Sequence, residues 1–433
     1  MDRSWVADLA GREGDHVRLC GWVHAVDWRD DGVAATLRDR SGSALLRPPS
    51  SPCRHALGSR LASLAPGSAV EALGTVADAA PGTQPQLVLD ELHVLGPAMA
   101  EVPLRPGASL EQRLDWRFLD LRSPENQLVF RVQTTLERAM RARWASEGFV
   151  EIHSPKLKPT PNQSGSELFS LEYFGGRAYL AQSPQFYKQM AMAAGFERVF
   201  EIGPVFRANP LPTPWHDTEF TSVDVELSWI GSHEEVMAWE ERWLREVVVE
   251  VAEDHGVELR RWFGMEVTVP EVPFPRVDIA TARGIVEASG YSLAHCPGDL
   301  DREGERRLAA HVAAEHGHDL VYVTGYPEEV RPFYHMRCQP GSVATRSFDL
   351  LWKGLEVTTG AQREHRYEVL MDQARARGLS LDPLRYYLDF FRFGCPPHGG
   401  FGLGLTRVLM VLLGRSTVRD VTFLPRTAQR LHP

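Results

Sequence analysis

Cysteine is scarce in this chain of 433 residues: Cys20, Cys53, Cys296, Cys338 and Cys395 are scattered, odd in number and without CxxC spacing. That pattern argues against structural zinc and against a disulfide framework, and it fits a reducing cytoplasm. Long apolar runs are missing too. None reaches membrane-spanning length, and the opening Met1-Asp2-Arg3-Ser4-Trp5 lacks the apolar core of a signal peptide, so no membrane association is expected. Low-complexity stretches are absent. Positive charge is in deficit, with 47 Lys and Arg against 57 Asp and Glu and a net charge of −10. Any contact with nucleic acid must therefore come from local basic patches, and non-specific coating of DNA is disfavoured.

What is present reads as a globular α+β protein of two or three domains. Val17 to Val23, Val33 to Leu37, Ala69 to Val76 and Gln86 to Val94 are short runs of strand length, and Asp39-Arg40-Ser41-Gly42 has turn chemistry. Several short strands in about a hundred residues predict a small β-barrel over residues 1–102. Pro103-Leu104-Arg105-Pro106-Gly107 opens a linker expected over 103–125. From Asn126 to Glu147 the apolar spacing is helical, with an arginine-rich polar face. The remainder, 126–433, groups its strands rather than alternating them regularly with helices, which favours an antiparallel sheet. Residues from about 270 to 340 look like an inserted helical subdomain.

Four stretches carry polar residues that a routine fold does not require. Pro396 to Arg407 packs four glycines between Gly399 and Gly404 ahead of Arg407, a backbone on which a ligand can lie directly with a fixed cation at its edge. Phe206-Arg207, a loop with three prolines, and Trp215-His216-Asp217-Thr218-Glu219-Phe220 lead into the alternating run Thr221 to Leu227, where Asp224 and Glu226 share a face. An arginine at such a strand end suits a phosphate, and a phenylalanine beyond it suits a base. Asp349 and Glu356, with Thr359 nearby, are candidate oxygen ligands for a magnesium ion carrying phosphates, and Arg363 suits an anionic substrate. Gln182 to Gln189 forms a dense polar cluster in which Lys188 suits a carboxylate. Taken singly, each also admits an ordinary structural reading: a loop shaped by glycine, a surface ion pair, a core phenylalanine, a solvated strand face or helix lysine.

Together these residues resemble the class II aminoacyl-tRNA synthetases of the aspartyl and asparaginyl subgroup, over nearly the whole chain. Gly148 to Pro155 is similar to the first motif of that family, Phe206 to Glu226 to the second, and Gly400 to Arg407 to the third. Gln182 to Gln189, Arg331-Pro332-Phe333-Tyr334 and Gly360-Ala361-Gln362-Arg363 resemble the aspartyl branch of archaeal, non-discriminating type. The resemblance implies an N-terminal OB-fold barrel that reads the anticodon, followed by an antiparallel catalytic sheet flanked by helices. It also implies an ATP- and magnesium-dependent ligase that makes an acyl-adenylate and passes it to a tRNA, working as a homodimer whose interface the first motif builds. By the same resemblance Arg207 would hold the α-phosphate, Phe220 and Arg407 would sandwich the adenine over Gly404, and His216 would reach the terminal phosphates. Glu356, Asp349 and Thr359 would position magnesium. Lys188 and Arg363 would grip a side-chain carboxylate, and Gln163, Gln185 and Asp224 would face the α-ammonium group.

The chain also departs from that pattern. The family carries glutamate where Gln163 and Asn209 stand, arginine at Trp215 and an acidic residue at Thr406. In the barrel, the aromatic platform for an anticodon base falls at Ala34 and a base-reading glutamine at Leu45. Losing a stacking platform costs roughly 1–3 kcal/mol per base. Trp28 and Arg29 offer a different surface for tRNA, whereas Trp22 reads as a core tryptophan. The expected substrate is aspartate or an aspartate-like acid. The alternatives are a specialised paralogue that activates an acid without the α-amine for another tRNA, an amide-forming enzyme that needs no tRNA, and a non-catalytic binding protein. The hundred residues kept for a barrel argue for a nucleic-acid partner.

Overall fold

The computed structural model describes residues 2–29, 32–50, 54–78, 83–159, 168–210 and 213–432. Two compact units emerge, one from the N-terminus to Gln127 and one from Leu128 to His432. No described helix is long and apolar enough to cross a membrane.

In the first unit, β1 (Arg3–Ser4), β2 (His16–Arg29), β3 (Gly32–Arg38), β4 (Ser43–Arg47), β5 (Ala69–Ala77) and β6 (Gln86–Gly96) form one sheet in the order β1-β2-β3-β4-β6-β5. The long β2 pairs with β3 through its second half and with β5 through its first, which closes the sheet into an OB-like barrel. Alternation fills the interior: Leu19, Val23, Leu37, Leu46, Val70, Ala72, Val76 and Leu87 share one core, plugged by Leu57 and Leu61 of α1 (Arg54–Ala62). Where β5 shifts register against β6, a Cβ on Gly74 would stand 2.1 Å from the Val88 carbonyl oxygen, so only glycine fits the bend. The expected turn after β3 is made by Asp39, whose Oδ1 accepts from the amides of Ser41 (2.7 Å) and Gly42 (3.0 Å).

Trp22 corrects its expectation. Val23 takes the inward position, so Trp22 faces out, 38% exposed, with the Arg122 guanidinium 4.9 Å over its ring. Residues 103–125 are not bare linker, because they contain α2 (Leu110–Asp115) and α3 (Arg117–Asp120). A capping box starts α2: Ser109 accepts from the Gln112 amide while the Gln112 side chain accepts from the Ser109 amide.

From α4 (Pro124–Ser146) onward the strands are β7 (Val150–Glu151), β8 (Leu157–Lys158), β9 (Ser170–Tyr173) and β10 (Gly176–Leu180). Then come α5 (Gln185–Ala193), β11 (Arg198–Phe206), β12 (Glu219–Ser228) and the 31-residue α6 (His233–Phe263). Next are β13 (Arg276–Asp278), α7 (Ile279–Ala288), α8 (Arg302–His316), β14 (Leu320–Thr324), β15 (Ser347–Trp352) and β16 (Leu355–Gln362). α9 (Tyr367–Ala376), α10 (Arg385–Leu388), β17 (His398–Gly404) and α11 (Leu405–Leu412) follow. The main sheet runs β13-β14-β15-β16-β17-β12-β11-β7, antiparallel through its middle and parallel at both ends, while β8, β10 and β9 form a small sheet of their own. The expected insertion over 270–340 is therefore not a separate helical body. Its strands β13 and β14 extend the main sheet, and α7 and α8 share a smaller core with Val321 and Val323 of β14 and Leu351 of β15.

One face of the central strands is buried against α4 and α6: Val223, Val225, Phe401 and Leu403 join Trp144, Trp239 and Trp243 in the largest core. That leaves the opposite face of β16, β17 and β12 to carry polar chemistry. Within the same core α6 buries Glu240, whose Oε2 lies 3.1 Å from the Tyr322 hydroxyl. Burial pushes its carboxyl from the ordinary 4.5 up to about 8. A raised folded-state value means that the protonated group stabilises the fold below pH 4.5, and that this contribution is lost as pH rises through about 8. Glu240→Gln mimics the protonated form, so its stability relative to the wild type is expected to climb by a few kcal/mol between pH 5 and 8.5 in urea titrations. Parallel curves for the two proteins would contradict it.

Candidate active site

The site is built on β17 and the strands either side of it. Register sets Gly400 beside Glu226 and Gly402 beside both Asp224 and Thr359. Phe401 and Leu403 turn into the core, so Gly400, Gly402 and Gly404 present bare backbone to the other side. A Cβ on Gly400 would lie 2.0 Å from the Val225 carbonyl oxygen and 2.5 Å from Glu226 Oε2, so glycine is obligatory there. Above this floor lies a cavity of about 440 Å³ whose walls include Gln185, Arg207, Trp215, His216, Phe220, Asp224, Glu356, Thr359, Arg363, Gly404, Thr406 and Arg407.

One end of the cavity is cationic and ordered by Arg407 on the first turn of α11. Its Nη1 donates to the Glu356 carbonyl (2.8 Å) and lies 3.4 Å from the Glu356 carboxylate. Its Nη2 donates to His216 Nε2 (2.9 Å), so the His216 proton sits on Nδ1, 2.7 Å from the Thr213 hydroxyl. Burial, then Arg407 and Arg207, lowers the His216 pKa to about 4, which leaves the ring neutral. Arg207 closes the loop between β11 and β12, its guanidinium 5.4 Å from the Phe220 ring.

The trio Asp349, Glu356 and Thr359 divides. In alternating strand geometry residues 356 and 359 would face opposite sides. A bulge in β16 puts Glu356 opposite Leu351 and Thr358 opposite Leu350, skipping Val357, and so turns both Glu356 and Thr359 to the cavity. The Thr359 hydroxyl donates to Glu356 Oε1 at 3.0 Å. Burial alone would raise the Glu356 carboxyl, but Arg407 and the Thr359 bond outweigh it and hold it below 4.5. Asp349 lies across from Thr359 on β15 and is not part of the cavity wall; both its oxygens accept from buried Arg331. No cluster of three His, Cys, Asp or Glu that could hold a metal occurs among the described residues. An ionised carboxylate beside a hydroxyl nevertheless suits magnesium, which takes one or two protein carboxylates and completes its shell with water and phosphate.

The other end is a buried ionic quartet. Lys188 on α5 is fully buried, with Nζ 2.8 Å from Asp224 Oδ1, 3.4 Å from Glu226 Oε2 and 2.9 Å from the Phe401 carbonyl oxygen. Arg363 meets Glu226 at 2.9 Å through Nε and donates through Nη2 to the Gly400 carbonyl at 2.9 Å. Gln185 donates to Glu226 Oε2 (3.4 Å), and Ser222 donates to Asp224 Oδ2 (2.5 Å). Two cations thus meet two carboxylates. Burial would raise the Glu226 carboxyl, yet Arg363 and Lys188 outweigh it and hold it low. Lys188 was expected to face the ligand but lies beneath the cavity wall, whereas Arg363, Gln185 and Asp224 line it.

Glu226 is the residue that sequence reasoning left without a part, although its place on the Asp224 face was visible. His335, on the cavity wall beside Arg363, had no signal at all. Gln163 lies outside the described residues. Trp215 packs against the Arg302 guanidinium (5.3 Å), and Asn209 is not on the cavity wall. In the barrel, Trp28 is 77% exposed and Arg29 is exposed, whereas Ala34 and Leu45 are buried.

Residues 109–428 match the family described as tRNA synthetases class II (D, K and N). An aspartate–tRNA(Asp/Asn) ligase of Methanopyrus kandleri is 41% identical to this chain over 439 residues, covering 99% of each. An aspartate–tRNA(Asp) ligase of Pyrococcus horikoshii is 37% identical over 426 residues, covering 97% of each. Among solved structures, the asparaginyl-tRNA synthetase from Pyrococcus horikoshii complexed with asparaginyl-adenylate superposes with a TM-score of 0.92 at 28% identity, covering 100% of both chains. A glycine-floored cavity on an antiparallel sheet, an OB-like barrel before it and this full-length similarity lead to one conclusion: the chain belongs to the class II tRNA synthetases of the D, K and N group.

Proposed function

We propose that this chain is an ATP-dependent ligase of aspartyl type. It joins the carboxylate of aspartate, or of a close analogue, to the α-phosphate of ATP with release of pyrophosphate, and then passes the acyl group to the 3′-terminal ribose of a tRNA with release of AMP. The observation that carries the reading is a single cavity with Arg207, His216 and Arg407 at one end and Arg363, Gln185 and Asp224 at the other, over a floor without side chains. In this reading Phe220 and Arg407 enclose the adenine above Gly404, and His216 reaches the distal phosphates as a neutral donor. Arg207 stabilises the charge that builds on the α-phosphate during in-line attack. Asp224 and Gln185 receive the α-ammonium group, and Arg363 the side-chain carboxylate.

Glu356 and Thr359 would hold magnesium, which when bound neutralises phosphate charge, while Asp349 stays paired with Arg331. Residues 1–102 contact the tRNA, where the exposed Trp28 and Arg29, and Trp22 with Arg122 of the following segment over its ring, supply stacking and charge. A homodimer would form across β7, the edge strand of the main sheet, where Val150 is 42% exposed. No described feature favours an acid lacking the α-amine, because Asp224 keeps a carboxylate on the cavity wall.

ATP–pyrophosphate exchange over a panel of acids tests the first step, and mass spectrometry of the tRNA 3′ end tests the second. Exchange is expected with aspartate, and exchange with no acid at all would refute the reading.

A further inference from the structure

His335 is 3% exposed and lies on the cavity wall next to Arg363. Its backbone is pinned: the amide donates to the Pro332 carbonyl (3.1 Å), the carbonyl accepts from Gln373 Nε2 (3.1 Å), and the residue forms an antiparallel bridge with Arg363. The side chain meets the one edge of the Arg363 guanidinium that Glu226 and the Gly400 carbonyl leave open, with Nη1 3.0 Å from His335 Nε2. A guanidinium has no acceptor, so Nε2 must be the acceptor and the ring proton sits on Nδ1. Burial, then Arg363, Arg331 and Arg377, pushes the ring well below its ordinary 6.5, so the Nε2 lone pair stays available.

The Glu226 and Gly400 contacts hold Arg363 along its Nε–Nη2 side, and about that side the plane could still tilt. The Nη1 contact removes this freedom. Lys188 cannot stand in as the reader of the substrate's far end, because its donors are already directed to Asp224, the Phe401 carbonyl and the Val225 carbonyl or Glu226. We propose that His335 is a positioning residue for substrate selection: it locks the Nη1 edge of Arg363 so that the one guanidinium N–H not directed to Glu226, the Gly400 carbonyl or His335 meets the substrate's far end at a fixed place, which favours a carboxylate over an amide. A carboxylate takes that N–H in a charge-assisted bond, whereas an amide oxygen makes the weaker neutral one and leaves its own N–H groups to find acceptors in a buried site. The inference rests on the adenylate-forming reading above.

The test compares the full-length wild type with His335→Gln, His335→Asn and His335→Leu in ATP–pyrophosphate exchange, using aspartate and asparagine. Glutamine can place an amide oxygen where Nε2 stands, whereas asparagine falls short and leucine has no acceptor. His335→Asn and His335→Leu are expected to raise the KM for aspartate about tenfold or more, the worth of a buried bond to a charged group, while leaving the KM for ATP near the wild-type value. The ratio of kcat/KM for aspartate over asparagine should fall by a similar factor, and His335→Gln should recover most of both. A merely structural histidine would instead lower kcat and stability together, without rescue by glutamine. Unchanged aspartate KM and selectivity in the Asn and Leu variants, or a Gln variant as impaired as Leu, overturns the proposal. Should His335→Leu fail to fold, the Asn and Gln pair decides. Wild-type protein inactive with every acid would overturn the adenylation reading itself, and this inference with it.

Discussion

Glu226→Gln is expected to destabilise the second unit by about 3–5 kcal/mol, the usual cost of removing one partner from a buried ion pair. Glutamine keeps the volume and can still hydrogen-bond, so the loss isolates the charge. Glu226 is completely buried and serves Lys188, Arg363 and Gln185 at once, and without its charge Lys188 keeps Asp224 while Arg363 keeps the neutral Gly400 carbonyl and His335. A shift of the urea midpoint at constant slope measures the effect. The sign of its pH dependence also follows. The Glu226 carboxyl is held below 4.5, so its contribution is complete above that value and is lost as pH falls through the lower folded-state value. The wild type should therefore lose stability steeply in acid, and Glu226→Gln less steeply. Lys188→Met added to Glu226→Gln should restore part of the loss, because one buried cation, Arg363, then balances one buried carboxylate, Asp224. A single-variant cost under about 1 kcal/mol would mean that water screens the quartet as it does a surface pair.

Arg207→Ala is expected to lower kcat for ATP–pyrophosphate exchange by about 10²–10³-fold, the range for losing one preorganised donor at a developing negative charge. Arg207 lies on the cavity wall at the strand end, and its charge reaches both His216 and Glu356. Because its part is greatest in the transition state, kcat should fall more than the KM for ATP rises. Arg207→Lys should recover only part of the rate, since an ammonium keeps the charge but not the planar fork. A loss smaller than about tenfold, or one carried by KM alone, would move the α-phosphate contact to another residue.

These expectations differ in how far they were visible beforehand. The glycine run announced bare backbone, and it lies as such beneath the cavity, because strand period and the lack of side chains are local properties. The same locality explains the barrel strands, the Asp39 turn and the helix after Asn126. Misreadings came where the deciding contact was distant. Trp22 was placed in the core by residue type, but alternation gave that position to Val23. The stretch from 270 to 340 looked helical because α7 and α8 dominate it, while its two strands are short and pair only with each other and the main sheet. Residues 103–125 looked like linker because of their prolines, although Ser109 and Gln112 already spelled a capping box.

The chain's sequence by itself determined its family, its two-unit α+β layout and the glycine floor with Arg407 behind it, since these rest on residue type, period and order. Only the tertiary structure decided the chemistry of the two ends. The bulge at Val357 brought Glu356 and Thr359 to one face, and Asp349 was drawn off to Arg331. Lys188 was held beneath the cavity wall by partners up to 213 positions away, and His335 met Arg363 across 28. Charge pairing and burial depend on which side chains finally touch, and no local pattern encodes contacts made at such separations.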